Sequence, residues 1–245
     1  MRKTKIVCTL GPASTDAQVM REMMLAGMNL ARFNFSHGTH EEHMEKLNTL
    51  RAIRSELKLP VATLLDTKGP EIRLKDFQEG KVMLEAGQTF TLTTRDVMGD
   101  QNQVAVTYHE LPGDVGPGTR ILLDDGLIEL RVQEVRDNTD IVCTVINGGK
   151  ISNHKGVNLP GTKISMPYLS DNDIRDIEFG IEQKFDFIAA SFVRTAQDVL
   201  DVRNILIRNG CRTMKIIAKI ENAEGVPNLD QISKPADGIM GARGD

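Results

Sequence analysis

One change of period limits what this chain can fold into. From Thr4 to Asp66, short apolar runs alternate with longer segments whose apolar residues recur every three or four positions. That rhythm is lost after about Pro70 and returns after Pro167. Alternating strand and helix periods build a parallel sheet with right-handed crossovers. In the first stretch, TKIVCTL (4–10) predicts a buried strand closed by Gly11-Pro12, and the Thr15/Gln18 spacing predicts a capping box opening a helix. Residues 28–35 predict a second strand, His40–Leu57 a helix with Leu47, Leu50 and Ile53 on one face, and 60–66 a third strand. After Pro167, Ser170/Asp173 and Thr195/Asp198 cap two further helices, and 185–192, 214–220 and 237–242 predict strands four to six, with a short helix over 224–233.

Between them, 81–85, 89–93, 103–107, 119–123, 127–132 and 140–146 are short and β-rich, with turn signals at Asp125-Gly126 and Asn147-Gly148-Gly149 and no segment of helical period. The expected organisation is an α/β fold over 1–69 and 169–245, with a separate antiparallel, all-β domain over 70–168 inserted after strand three. Six strands are two short of the eight that close a (β/α)₈ barrel, so the chain is expected to be part of a longer protein. An open doubly wound sheet is the alternative, although such a sheet usually ends on a helix that covers its last strand.

Composition removes several functions. The net charge is −4, which leaves no excess of cations for a nucleic-acid backbone. No apolar run nears the ~18–20 residues of a membrane span, and no signal peptide is visible. Three scattered cysteines (Cys8, Cys143 and Cys211) suit reduced thiols in a cytoplasmic protein. Aromatics make up only 4 %, so the core must be aliphatic, and Cys8 is expected to be inert within it.

In parallel α/β folds the reactive groups gather at the C-terminal ends of the strands. Here those ends carry Arg32, Lys68, Arg73, Lys219 and Arg243 beside Asp66, Glu221 and Asp245. Such a rim suits a phosphorylated substrate held with a divalent cation, arginine gripping phosphate oxygens and carboxylates the metal. Lys219 is the sharpest single signal. It sits among Ile216, Ile217, Ala218 and Ile220, where an ammonium needs a carboxylate or phosphate partner, and Glu221 follows on the same side. The run His40-Glu41-Glu42-His43 lacks metalloprotease spacing and reads as a solvated helix start. Arg243-Gly244-Asp245 ends an apolar strand and is not read as an adhesion signal.

The runs ARFNFSHG, LLDTKGPEIR, NHKGVNLPG, ASFVR, KIIAKIEN and DGIMGARGD, in this order and spacing, resemble the pyruvate kinase family over essentially the whole chain. The resemblance implies a (β/α)₈ TIM-type barrel, here incomplete at about six strands, with a mobile β-barrel-like lid after strand three and a C-terminal domain beyond residue 245. It implies phosphoryl transfer from phosphoenolpyruvate to ADP, giving pyruvate and ATP, with Mg²⁺ or Mn²⁺ and K⁺ as cofactors. Lys219 and Arg32 match catalytic residues that also bind substrate, and the Gly244 backbone lies against the substrate carboxylate. Glu221 and Asp245 match the Mg²⁺ ligands; Asn34, Ser36, Asp66 and Thr67 match the K⁺ site. Arg32, Asn34, His37, Arg73 and Lys155 match the nucleotide side, Lys155 reaching ATP when the lid closes. The family parent is expected to be a cytoplasmic homotetramer, with neither nucleic acid nor membrane as partner. Gly241 departs from the pattern, where a larger apolar residue is expected, and the chain alone is expected to be an inactive fragment. The competing readings are a Mg²⁺-dependent oxo-acid lyase or aldolase and a non-catalytic ligand-binding piece. The lid segment around Lys155 and the K⁺ set argue against an aldolase.

Overall fold

A computed structural model describes residues 3–241. In chain order its strands are β1 (Val7–Thr9), β2 (Leu30–Asn34), β3 (Ala62–Asp66), β4 (Lys81–Leu84), β5 (Thr89–Thr93), β6 (Gln103–Ala105) and β7 (Arg120–Leu123). They continue with β8 (Ile128–Arg136), β9 (Asp140–Asn147), β10 (Gly149–Ser152), β11 (Val157–Asn158), β12 (Phe187–Ala190), β13 (Lys215–Ile220) and β14 (Gly238–Gly241). The helices are α1 (Ala17–Ala26), α2 (His40–Leu57), α3 (Leu111–Asp114), α4 (Asp171–Glu182), α5 (Ala196–Arg208) and α6 (Leu229–Ile232). The described residues form two compact units, 3–69 with 168–241 and 70–167.

The first unit holds one sheet in the order β1-β2-β3-β12-β13-β14, and every neighbouring pair is parallel. Within this unit each strand lies beside its successor, and the order never reverses. A doubly wound sheet needs a reversal to create its binding crevice, so this is the strand order of a barrel wall. Its core is aliphatic, with a small aromatic centre in which Phe33, fully buried on β2, meets Phe185 edge-on at 5.2 Å.

Local chemistry explains where the elements begin. Thr39 and Glu42 form a reciprocal capping box at the start of α2, and Ser170 and Asp173 do the same for α4. At α1 the cap is Asp16, whose Oδ1 accepts from the Gln18 and Val19 amides at 2.9 and 3.1 Å, and not the expected Thr15. Thr15 instead donates its hydroxyl to the Pro12 carbonyl. A carboxylate accepts two amides at once, which a hydroxyl spent on another carbonyl does less well. The first strand is shorter than expected and is not buried: β1 pairs only with β2, leaving Val7 48 % exposed. Among the described residues no atom lies within 4 Å of where a Cβ on Gly241 would stand, so a larger residue meets no obstacle from them.

The second unit pairs β4 with β10 and sets out a second sheet in the order β11-β7-β8-β9-β5-β6. Two expectations are corrected. The sheet is not wholly antiparallel, because β5 and β6 run parallel, and α3 supplies one helical turn where no helical period was visible. Four residues with Pro112 at their start are too few to show a period, which is why the pattern missed them. The hairpin from β7 to β8 turns through Asp124, Asp125 and Gly126, all at positive φ, so the turn extends one residue ahead of the expected Asp-Gly pair. The core here is built from Phe90, Leu92, Leu130, Ile141 and Cys143. Burial pushes the Cys143 thiol up to about 12. In the folded protein Cys143 should therefore resist iodoacetamide at pH 8.5 and react only on unfolding. Mass spectrometry of timed alkylation checks this, and labelling of Cys143 at the rate of an unfolded control would contradict it.

Candidate active site

The site is assembled in the first unit from the ends of β2, β3, β12 and β13. Parallel pairing sets the register: Asn34 stands opposite Asp66, Ala189 opposite Asp66 on its other side, and Ala190 opposite Ala218. The last residues of β2 and β3 thus stand level with Ala189 near the end of β12, β13 runs on past that level to Ile220, and the charged side chains from these strand ends converge.

Asp66 lies at the centre and is fully buried. Its Oδ2 accepts from Arg32 Nε at 2.5 Å, and its Oδ1 accepts from Lys219 Nζ at 3.1 Å. Arg32 also donates through Nη1 to Thr9 Oγ1 at 2.8 Å. A carboxylate this deep would be costly if unpaired, and two cations satisfy it, Arg32 from the adjacent β2 and Lys219 from β13, two strands away. Lys219, 8 % exposed, donates in addition to Ser191 Oγ at 3.0 Å. Its Nζ also stands 2.9 Å from Glu221 Oε1. That contact is an ion pair without hydrogen-bond alignment, so the buried Oε1 accepts no hydrogen bond among the described residues. The other oxygen, Oε2, accepts from the Phe192 amide at 3.0 Å. Glu221 therefore offers one anionic oxygen with an open lone pair beside an ammonium group.

Backbone detail holds this cluster in place. Phe192 has φ +54, a left-handed conformation rare for a non-glycine residue, and its amide is the one that meets Glu221. Tyr168 donates its hydroxyl to the Ser191 carbonyl at 3.0 Å; burial and the nearby carboxylate of Asp198 push the phenol well above its ordinary value, so it stays a donor. Gly69, at φ +71, donates its amide to Asp173 Oδ1, and a Cβ there would stand 2.9 Å from the Ser191 carbonyl oxygen.

The structure thus brings together Arg32, Asp66, Lys219 and Glu221, as the strand ends lead one to expect. Thr67 is buried beside them, its hydroxyl donating to Ala189 O at 3.3 Å and accepting from the Ser191 amide at 3.1 Å. Asn34 Oδ1 accepts from the Ser36 amide in the turn after β2. Asn34 and His37, with Thr9, Pro12 and His43, line a cavity of about 630 Å³. Lys68 is exposed. Arg73 and Lys155 belong to the second unit, where Arg73 pairs with Glu71 at 2.5 Å and Lys155 with Asp124 at 2.8 Å. Arg243, Gly244 and Asp245 lie outside the described residues.

One expectation holds only in part. Glu41 and Glu42 are exposed in the first turn of α2, as a solvated helix start requires, but the histidines beside them pack against aromatic rings. His43 is buried, stacks on Phe35 at 4.1 Å and donates Nε2–H to the His37 carbonyl. Burial and the charge on Lys46 hold it below the ordinary histidine value. His40 stacks on Phe179 and bonds Asp176 at 2.6 Å, joining α2 to α4. These are packing histidines, and among the described residues no group of three or more His, Cys, Asp or Glu side chains is placed to hold a metal. The sequence reading also gave no role to Ser191, Tyr168, Phe192 or Gly69. Of these, Ser191, Phe192 and Gly69 carried a signal, by standing at or just after a strand end within quoted motifs.

Fold and site define a parallel α/β barrel-type domain whose charged cluster lies at the C-terminal ends of its strands. The whole chain, residues 1–245, matches the family model described as pyruvate kinase, barrel domain. It is 48 % identical over 246 residues to a pyruvate kinase of Staphylococcus haemolyticus and 50 % identical over 245 residues to one of Geobacillus stearothermophilus. Each alignment covers all of this chain and 42 % of the relative. A pyruvate kinase of Clostridium perfringens is 48 % identical, with 52 % of its length covered. The chain belongs to the pyruvate kinase family. It spans about half or less of the length of the curated relatives it matches.

The crowding at Gly69 can be tested directly. Gly69→Ala should destabilise the protein by about 1–3 kcal/mol, from left-handed strain plus the clash with Ser191. Urea denaturation measures it, and an unchanged midpoint would show that the loop does not press on Ser191.

Proposed function

We propose that the protein transfers the phosphoryl group of phosphoenolpyruvate to ADP. The bond from phosphorus to the enol oxygen breaks, a bond to a terminal oxygen of ADP forms, and the enolate then takes up a proton to become pyruvate. The observation that carries this reading is Lys219, an ammonium almost buried in an aliphatic strand and held beside the carboxylates of Asp66 and Glu221. Transferring phosphoryl groups spread charge over their oxygens and need donors already in place. In this reading Lys219 donates to the migrating group, and Arg32, tied to Asp66 and Thr9, holds substrate.

Glu221 fits a divalent ion, since it presents a hard anionic oxygen that takes no hydrogen bond among the described residues. It would share Mg²⁺ or Mn²⁺ with Asp245, substrate and water, and the ion would supply charge neutralisation at the phosphoryl and enolate oxygens. Asn34, Ser36, Asp66 and Thr67 bring oxygen atoms to adjacent ends of β2 and β3, the donor type K⁺ takes. The cavity beside Asn34 and His37 is the space offered to the nucleotide; Arg73 and Lys155 are assigned to the nucleotide, and Gly244 to the substrate carboxylate, on the family resemblance alone. On the same ground we assign the second unit as a lid inserted after the third strand of an eight-stranded barrel. A homotetrameric, glycolytic, cytoplasmic enzyme is likewise part of the proposal. Among the described residues no helix is long and apolar enough to cross a membrane.

Lys219→Met decides between this role and a structural one. In a coupled assay of phosphoenolpyruvate and ADP with Mg²⁺ and K⁺, turnover should fall by about 10²–10³-fold or more, with nucleotide affinity nearly unchanged. An unaffected rate in a folded variant would remove Lys219 from the chemistry.

A further inference from the structure

We infer that Ser191 is a positioning residue for Lys219: its hydroxyl, turned to accept, holds the ammonium against Asp66 so that one N–H, bound to neither, is left for incoming phosphoryl oxygens beside Glu221. This inference rests on the phosphoryl-transfer reading above.

The argument is a count of donors and acceptors. An ammonium has three N–H groups. One meets Ser191 Oγ at 3.0 Å and one meets Asp66 Oδ1 at 3.1 Å, both as hydrogen bonds. The third partner, Glu221 Oε1, is within ion-pair distance but out of line. Two hydrogen-bonded partners therefore fix the lysine, and its third N–H is left on the side where Glu221 Oε1 stands, close but out of hydrogen-bond line.

Ser191 can act as acceptor only if its single proton is spent elsewhere. It is: the nearest oxygen is the Thr67 carbonyl at 2.6 Å, shorter than the 3.1 Å to Asp66 Oδ1. The serine is itself immobilised from several directions. Its amide donates to Thr67 Oγ1 at 3.1 Å, its carbonyl accepts from Tyr168, and Gly69 packs against its carbonyl and Cβ. A side chain used only to fill space would not need its backbone and hydroxyl locked in this way. With the serine's rotamer fixed, the lysine's position follows from it, which is what preorganised electrostatic catalysis requires.

The test uses Ser191→Ala and Ser191→Thr in the protein at its full natural length, with melting curves to establish that both fold. Ser191→Ala should lower kcat by about 10–100-fold while KM for phosphoenolpyruvate changes less than about threefold, and Ser191→Thr, which keeps the hydroxyl, should recover kcat to within about fivefold. A crystal structure of Ser191→Ala should show Lys219 Nζ displaced from Asp66 or split between positions. A kcat within twofold of the parent, or a Lys219 that has not moved, would overturn the inference. If Ser191→Thr does not fold, the alanine variant's kcat and crystal structure decide. If the parent protein itself fails to turn over phosphoenolpyruvate and ADP, the kinase reading falls, while the crystal structure still reports whether Ser191 holds the lysine.

Discussion

A carboxylate with no access to water anchors the first unit's chemistry. Asp66 sits at the end of β3 and draws Arg32 from β2 and Lys219 from β13 onto its two oxygens. Two cations brought close without it would repel one another in a poorly solvated place; with it they become a fixed array of donors. The parallel register makes this convergence possible, since it sets Asn34, Asp66 and Ala189 side by side at one level. The sheet is therefore both a scaffold and an alignment device, and the charged cluster is its product.

A second layer of contacts keeps that array rigid, and most of it is backbone. The Phe192 amide, turned by a left-handed φ, reaches Glu221. The Val193 amide meets the Lys219 carbonyl at 3.1 Å, which extends the pairing of β12 and β13 beyond the strands themselves. Asp173 works at two places: Oδ2 takes the Ser170 amide in the α4 capping box, and Oδ1 takes the Gly69 amide. The start of one helix is thus tied to the turn that presses on Ser191. Strain at Phe192 persists because the surrounding hydrogen bonds over-determine it, a pattern found where a site is preorganised.

Much of this was legible in the sequence, for identifiable reasons. α2 spans the same residues as its apolar period, because eighteen residues carry that period many times. Lys219 stood out because an ammonium in an aliphatic strand needs a partner, and Glu221 is one of those found. What the sequence hid was of three kinds. Competing caps such as Thr15 and Asp16 differ by one position, and only the geometry shows which oxygen is free. His43 looked solvated because its neighbours are charged, yet Phe35 stacks on it from another element. Ser191 and Tyr168 gain meaning only from residues more than twenty positions away, which no local pattern encodes.

The central claim is that Asp66 and Lys219 form one interdependent unit. A double-mutant cycle of Asp66→Asn and Lys219→Met, read by urea denaturation, tests it most directly. Each single variant should cost about 3–5 kcal/mol, because Asp66→Asn takes from Arg32 and Lys219 the buried carboxylate they share, and Lys219→Met takes from Asp66 one of its two cations. The double variant should cost about 2–3 kcal/mol less than the two together. Single costs that simply add, to within about 0.5 kcal/mol, would contradict the account.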